Sequence, residues 1–176
     1  MYMIVSRINP LKYGLQSSVD FRVLREDLYP FFGGGNKARK LINILNEIRD
    51  NNHNAVVTTG SIYSNHCRAT SLMCANNNFA LSLVIHGDSR RFEKLNGNSQ
   101  IIRATNNKII FCEPDEIAKS MDYEMDIFKS KGLNPYYLYG GGHNKQGVEA
   151  YIDMVPEMKV YFESTGWKPD YIFLPS

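Results

Sequence analysis

The sequence predicts an α/β fold in which helices cover a parallel sheet. Short runs rich in β-branched and aromatic residues alternate with longer segments of helical periodicity along the 176-residue chain. Clusters of asparagine follow the helical segments, where a residue that tolerates a left-handed backbone ends a helix at little cost. These clusters are Asn51–Asn52, Asn76–Asn78 and Asn106–Asn107.

The predicted strands are short and are bounded by glycine, proline or asparagine, as strands commonly are. They cover residues 21–26, 55–60, 80–87, 108–113, 135–140 and 171–176. Because helical segments separate most of them, consecutive strands are expected to run parallel and to be joined by helices.

The first predicted helix begins near Lys37, after which apolar residues recur at helical spacing. Its apolar face is formed by Ala38, Leu41, Ile42, Leu45 and Ile48. The second helix begins near Ser64, whose hydroxyl suits the N-cap position. A short helix is predicted over residues 98–105, and a longer one after Pro114. The last runs from Lys145 to Ser164, with a kink expected at Pro156.

The composition is that of an ordinary soluble globular protein, with 43% hydrophobic and 22% charged residues. The net charge is only +2 and basic residues alternate with acidic ones, which argues against a nucleic-acid or membrane surface. Three cysteines without metal-ligand spacing indicate reduced thiols in a cytoplasmic protein and no metal site.

The loops that follow the strands are the places to look for a ligand site, because ligands of parallel sheets bind at the carboxyl ends of strands. These loops are residues 31–37, 59–66, 86–99 and 140–147. Three of them combine glycine or small residues with polar side chains at a predicted helix start.

The segment FFGGGNKARKL places Lys37 between a glycine loop and a helix. The partial positive charge of a helix N-terminus disfavours the ammonium form, and a neutral amine is what Schiff-base chemistry requires. The glycines would allow the backbone to approach a ligand closely. A surface lysine after a flexible turn is the other interpretation of these residues.

The segment TTGSIYSNHCRAT carries Ser64, Asn65 and His66 at the start of the second helix. Backbone N–H groups at such a start favour anions, and the serine and asparagine side chains add directed hydrogen bonds. Equally, Ser64 could serve as an N-cap alone, and His66 could be a packed or solvated histidine. The later GGGHNKQG segment could cradle a phosphate, although it fits neither a Walker motif nor a dinucleotide turn.

Together these segments resemble the pyridoxal-phosphate enzymes of the tryptophan-synthase-β fold type, most closely the 1-aminocyclopropane-1-carboxylate deaminase/D-cysteine desulfhydrase branch. The resemblance rests on GGGNKARKL, TTGSIYSNHCRAT, GNSQIIRAT and YGGGHNKQGVEAY, in that order, and extends from about Phe21 to Ser176. It implies a three-layer sandwich with a parallel sheet, and pyridoxal 5'-phosphate as the cofactor.

The resemblance also implies roles for individual residues. Lys37 resembles the lysine that holds the cofactor as a Schiff base and then acts as a base. Asn65 resembles the residue that hydrogen-bonds the phenolic oxygen of the cofactor, and Asn36 is placed beside the cofactor with it. Ser64 resembles the serine that faces the substrate carboxylate or the reacting atoms, and Asn65 and His66 are assigned to substrate binding with it.

The implied reaction converts a small amino acid to an α-keto acid and ammonia, with sulfide as well if the substrate is a cysteine. Several positions near the expected pocket depart from the family pattern, so the substrate could differ from both named compounds. These positions are Ser61, Tyr63, Tyr139 and His143.

The resemblance divides the chain into three parts. Residues 1–52 would belong to a large domain, residues 53–140 would form a small α/β domain, and residues 141–176 would return into the large domain. The chain would then stop before the phosphate-binding loop, as an N-terminal portion of an enzyme that is a homodimer in related proteins. The alternatives are a non-catalytic remnant of the family and a nucleotide- or phosphate-binding protein that uses Gly140–Gly142.

Overall fold

The computed structural model describes residues 7–11, 19–105 and 107–174. Its strands are β1 (Ile8–Pro10), β2 (Arg22–Leu24), β3 (Ala55–Ser61), β4 (Ala80–His86), β5 (Lys108–Cys112) and β6 (Pro135–Leu138). Its α-helices are α1 (Asn36–Asp50), α2 (Asn65–Asn77), α3 (Ser89–Lys94), α4 (Asn98–Ala104), α5 (Ile117–Ser130), α6 (Lys145–Ile152) and α7 (Met154–Thr165). Short 3₁₀ helices cover Glu26–Leu28, Pro114–Glu116 and Gly140–Gly142.

Four strands form a parallel sheet in the order β5-β4-β3-β6, which confirms the predicted α/β class. In this register Ala55 of β3 lies between Ala80 of β4 and Pro135 of β6. The carboxyl ends of all four strands therefore meet at one edge, where three of the predicted ligand loops (59–66, 86–99 and 140–147) begin. A separate antiparallel pair joins β1 to β2.

Helices cover both faces of the sheet, giving three layers. Val56 and Leu83 face the larger apolar cluster, which contains the buried side chains of α1, α2 and α4. Val57 and Val84 face the opposite way and pack with the buried face of α5. The alternation of neighbouring residues between two apolar clusters is what a fully covered parallel sheet requires.

The asparagine clusters end helices as predicted. Asn78 closes α2 with φ of 56°, and Asn52 has the same left-handed φ just after α1. Asn106 of the third cluster lies outside the described residues.

The predicted helix over residues 145–164 is divided at Asp153, three residues before the expected kink at Pro156. Because Pro156 has no N–H, it cannot donate to the Ile152 carbonyl, so the interruption falls on the N-terminal side of the proline.

Two other predictions were wrong. Residues 171–174 do not form a strand: their side chains are exposed, and no neighbouring strand in the described residues pairs with them. The remaining residues of that predicted strand, 175 and 176, lie outside the described part of the chain. The predicted loop 86–99 contains α3, which Asp88 caps by accepting from the N–H groups of Arg90 and Arg91.

All four parallel strands lie within residues 53–140, whereas α1 and α6 pack against each other outside that range. The domain boundaries themselves stay a prediction. In the described residues, no helix has the length and apolarity needed to cross a bilayer.

Candidate active site

The glycine loop before α1 has a backbone that other residues would not adopt readily. Gly33, Gly34 and Gly35 have φ angles of 79°, 73° and 87°. A Cβ on Gly34 would lie 2.3 Å from the Asp27 carbonyl oxygen, which would force the backbone to move. The Gly35 N–H donates to the Glu26 carbonyl at 2.7 Å, so the loop is tied to the preceding 3₁₀ helix just before α1 begins.

Lys37 lies in the first turn of α1, and its amine meets the Gly140–Gly142 segment. Its Nζ donates to the Gly141 carbonyl oxygen at 3.3 Å. Lys40, one turn later, donates to the same oxygen at 3.3 Å. Burial lowers the pKa of Lys40, and the charge of Lys37 lowers it further. The structure therefore gathers two amines around one carbonyl at the carboxyl end of the sheet.

The backbone conformation at Gly141 favours glycine. Gly141 has φ of 74°, and a Cβ there would lie 2.9 Å from Nε2 of His143 and 3.4 Å from Nζ of Lys37. The imidazole and the amine thus border the same small volume. His143 itself is exposed.

Ser64 and Asn65 form the start of α2. The Ser64 hydroxyl accepts a hydrogen bond from the Cys67 N–H at 3.1 Å, which is the N-cap role anticipated as one interpretation. A Cβ on Gly60 would lie 2.5 Å from this hydroxyl oxygen, so the end of β3 needs glycine for the turn into α2. The exposed Asn65 accepts from Nδ2 of Asn98 at 3.0 Å.

His66 is buried, with 3% of its surface exposed, and its tautomer follows from its neighbours. The Thr58 hydroxyl donates its proton to the Leu138 carbonyl at 2.8 Å. It must then accept from Nε2 of His66, which lies 2.8 Å away. The proton therefore resides on Nε2, and Nδ1 is an acceptor without a hydrogen-bond partner among the described residues.

The environment of His66 keeps its ring neutral. Burial, with smaller contributions from the charges of Lys37, Lys40 and His143, lowers the pKa of His66 to about 3. At neutral pH it presents an uncharged acceptor.

Two arginines of the recognised motifs support the site, and sequence reasoning assigned no role to either. Arg68 donates to the carbonyls of the glycine loop. Arg39 is almost fully buried between Glu26 and Glu157, at 2.9 and 2.8 Å. Burial opposes the Arg39 charge, but the hydrogen bonds to Glu157 and Glu26 outweigh it and raise the pKa of Arg39. In the sequence, only their positions inside the motifs indicated that Arg68 and Arg39 matter.

The structure brings the motif segments together without joining every predicted residue. Helices α1 and α2 and the Gly140–Gly142 segment contact one another, and Arg68 of α2 donates to the loop before α1. Among the described residues, no hydrogen bond links Asn36, Ser64 or Asn65 to Lys37, and Asn36 is exposed at the first position of α1. A separate open groove of about 490 Å³, lined by residues 87–90, 111–113 and Glu116, shares no residue with this cluster.

Comparison with known proteins identifies the family. The family model for pyridoxal-phosphate dependent enzymes matches residues 7–176. This chain belongs to that family. A Thermotoga maritima protein provisionally named as a 1-aminocyclopropane-1-carboxylate deaminase is 34% identical over 152 residues, which is 84% of this chain and 46% of that protein. The bifunctional D-cysteine desulfhydrase/1-aminocyclopropane-1-carboxylate deaminase of Arabidopsis thaliana is 26% identical, over 89% of this chain and 40% of that protein.

A solved structure gives the same result for the fold. The crystal structure of an ACC deaminase homologue superposes with a TM-score of 0.76 at 25% identity, covering 89% of this chain and 48% of that one. The fold is thus that of the pyridoxal-phosphate enzymes predicted from the motifs. The chain spans about half the length of the curated relatives that it matches.

Proposed function

We propose that this chain carries the Lys37 part of the active site of a pyridoxal-phosphate-dependent deaminase or lyase. The substrate would be a small amino acid, 1-aminocyclopropane-1-carboxylate or a D-cysteine-like compound, and the products an α-keto acid and ammonia. One observation carries the proposal: the half-buried amine of Lys37 donates to the carbonyl of Gly141, in a segment that contacts both α1 and α2, in a chain of this family.

The residues present fit pyridoxal 5'-phosphate. Lys37 supplies a primary amine for covalent attachment, and the missing side chain of Gly141 leaves space beside that amine. Lys40 adds a positive charge that matches an anionic phosphate group. Asn65, at the start of α2, supplies an amide next to the helix N-terminus, and Asn36 lies beside Lys37 at the start of α1.

When bound, the cofactor supplies an electron sink for negative charge on the substrate carbon. The residues of this chain would bind and orient the cofactor and the substrate, and would transfer protons. Lys37 would hold the cofactor and, once the substrate has displaced it, use its amine as the base. Ser64 would face the substrate carboxylate, and His66, assigned to substrate binding with it, would contribute through its buried, uncharged ring behind the start of α2.

The geometry of Gly140–Gly142 disfavours the alternative of a nucleotide-binding turn. A phosphate cradle needs backbone N–H groups that point at the ligand. Here the Gly142 N–H donates to the Tyr139 carbonyl at 3.0 Å, and the Gly147 N–H to Oδ1 of Asn144 at 2.9 Å. The Gly141 carbonyl instead accepts from two lysines, which suits the positioning of an amine.

Reductive trapping tests the proposal directly. The chain would be mixed with pyridoxal phosphate and reduced with borohydride, and the modified lysine would be mapped by peptide mass. We expect selective modification of Lys37, its loss in Lys37→Ala, and no change in Lys129→Ala, because Lys129 is exposed on α5. Modification spread over many lysines, equal in both variants, would refute the proposal. A change in cofactor absorbance on adding D-cysteine or 1-aminocyclopropane-1-carboxylate would then distinguish the substrates.

We also propose that the full-length protein is a cytoplasmic homodimer with the domain division given above. Val148, Ile152 and Val155 are exposed on α6 and at the start of α7, and they provide apolar surface that an additional domain or subunit could cover. The free thiols of Cys67, Cys74 and Cys112 suit a reducing compartment. Light scattering of the full-length protein would give its mass, and a monomer would contradict the dimer.

A further inference from the structure

Arg68 connects the two motifs that define the site. It lies one turn into α2, with 8% of its surface exposed, and its side chain crosses to the glycine loop before α1. Its Nη1 donates to the carbonyls of Phe32 and Gly33 at 3.1 and 2.9 Å, and its Nη2 to the carbonyl of Gly34 at 3.1 Å. One guanidinium thus holds three consecutive carbonyls.

This arrangement is unusual for a buried arginine. Among the described residues no carboxylate forms an ion pair with Arg68, whereas Arg39 has two such partners. Burial without such a partner lowers the pKa of Arg68. A buried charge that only neutral carbonyls compensate is costly to keep, so a stability role alone explains it poorly. What the guanidinium does provide is a planar fork of donors with fixed geometry.

The three carbonyls belong to the loop that sets where α1 begins. Three consecutive glycines with positive φ have little intrinsic preference for one conformation, so external contacts must select it. The loop approaches Arg68 so closely that a Cβ on Gly33 would lie 2.0 Å from Nη1. Lys37 lies only a few residues after the loop. The position of the loop, which Arg68 fixes, therefore determines where the Lys37 amine lies.

We propose that Arg68 is a positioning residue that fixes the Lys37 amine relative to the start of α2, where Ser64 and Asn65 lie. Arg68 acts through the carbonyls of residues 32–34 and does not itself touch the reacting atoms. The proposal rests on the function proposed above, because it assigns to Arg68 the orientation of the amine that would hold the cofactor.

The test compares Arg68→Lys with Arg49→Lys in the full chain. Lysine keeps the charge at position 68, but its single tetrahedral nitrogen cannot reproduce the planar fork whose two Nη atoms donate to the three carbonyls. Arg49 is exposed in the last turn of α1 and donates to Oδ1 of Asn77, which makes it the matched control. Circular dichroism and urea unfolding first establish that each variant is folded.

Two readouts then report the Lys37 amine. The first is borohydride trapping of pyridoxal phosphate at Lys37 as a function of pH. The second is competitive acetylation of Lys37 against Lys129 in the same molecule, without the cofactor. We expect Arg68→Lys to reduce trapping at Lys37 by at least about tenfold and to change its acetylation relative to Lys129, since small displacements of a reacting group have large effects on rate. Arg49→Lys should match the wild type in both readouts.

The outcomes separate this inference from the proposed function. A folded Arg68→Lys variant with wild-type trapping, pH profile and acetylation would overturn the role of Arg68. Wild-type protein that does not trap the cofactor at Lys37 would overturn the proposed function, and acetylation would still decide whether Arg68 positions the amine. If Arg68→Lys does not fold, Arg68→Gln serves as the second variant, because it keeps one donor nitrogen without a buried charge, and the same results are expected.

Discussion

The neutral, buried ring of His66 predicts that the protein loses stability between pH 7 and pH 5. Its pKa is lowered from 6.5 to about 3 in the folded protein, mainly by burial. In the unfolded chain the ring takes up a proton below about pH 6.5. The unfolded state therefore binds more protons throughout the window from pH 6.5 to pH 3, and the stability conferred by the neutral ring falls as the pH falls through it.

The size of the effect follows from the two pKa values. By linkage, a histidine that is protonated only when unfolded costs about 2 kcal/mol of unfolding free energy between pH 7 and pH 5. The fixed tautomer explains why the folded ring resists the proton. Nε2 already donates to Thr58, so protonation must occur at Nδ1, which is buried without a hydrogen-bond partner among the described residues.

Urea unfolding followed by circular dichroism at pH 7, 6 and 5 measures this dependence. His66→Gln is the control, because a glutamine amide can donate to Thr58 and does not titrate. The variant retains the contributions of every other titrating group. The difference between the two proteins in the slope of unfolding free energy against pH is therefore the contribution of His66. Equal slopes, or a His66 imidazole that titrates near pH 6.5 by NMR in the folded protein, would refute the reasoning.

Three further substitutions test the packing around the site, each against the wild type. Arg39→Met should lower the unfolding free energy in urea by about 3–5 kcal/mol, because it leaves Glu26 and Glu157 near each other without their shared cation. Ser64→Ala should cost about 1 kcal/mol in the same assay through loss of the α2 N-cap. Gly141→Ala should reduce borohydride trapping at Lys37, because alanine is strained at φ of 74° and its methyl would lie 2.9 Å from Nε2 of His143, beside the amine; unchanged trapping would contradict this.

The α/β class and most element positions could be predicted because they depend on local patterns. Short runs rich in β-branched and aromatic residues mark the four strands of the parallel sheet, and Ser64 marks the start of α2. Residues 171–174 were mispredicted because an apolar segment forms a strand only where a neighbouring strand is available, which composition does not reveal. The helix α3 was missed because it is short and its single buried apolar residue, Phe92, gives no periodicity.

The positions of the predicted site residues in the fold could be predicted from the motifs, but their contacts could not, and their roles stay a prediction. The motifs placed Lys37 and Ser64 at helix starts, and the structure agrees. The contact of Lys37 with Gly141 joins residues 104 positions apart, and no local pattern encodes it. The state of His66 likewise depends on the Thr58 hydroxyl and its bond to Leu138, which is visible only once β3 and β6 are paired.

The two motif arginines show why such motifs extend beyond the residues that could carry chemistry. Under the proposed function Lys37 would react from a fixed position, yet it comes shortly after three glycines that leave the backbone free. Arg68 restrains the loop before it through carbonyls, and Arg39 restrains the first turn of α1 through Glu26 and Glu157. The glycines allow the backbone of the loop to come close to its neighbours, and the two arginines hold that otherwise flexible backbone in one conformation. Loss of either arginine should therefore affect the Lys37 amine even though neither side chain bonds to it.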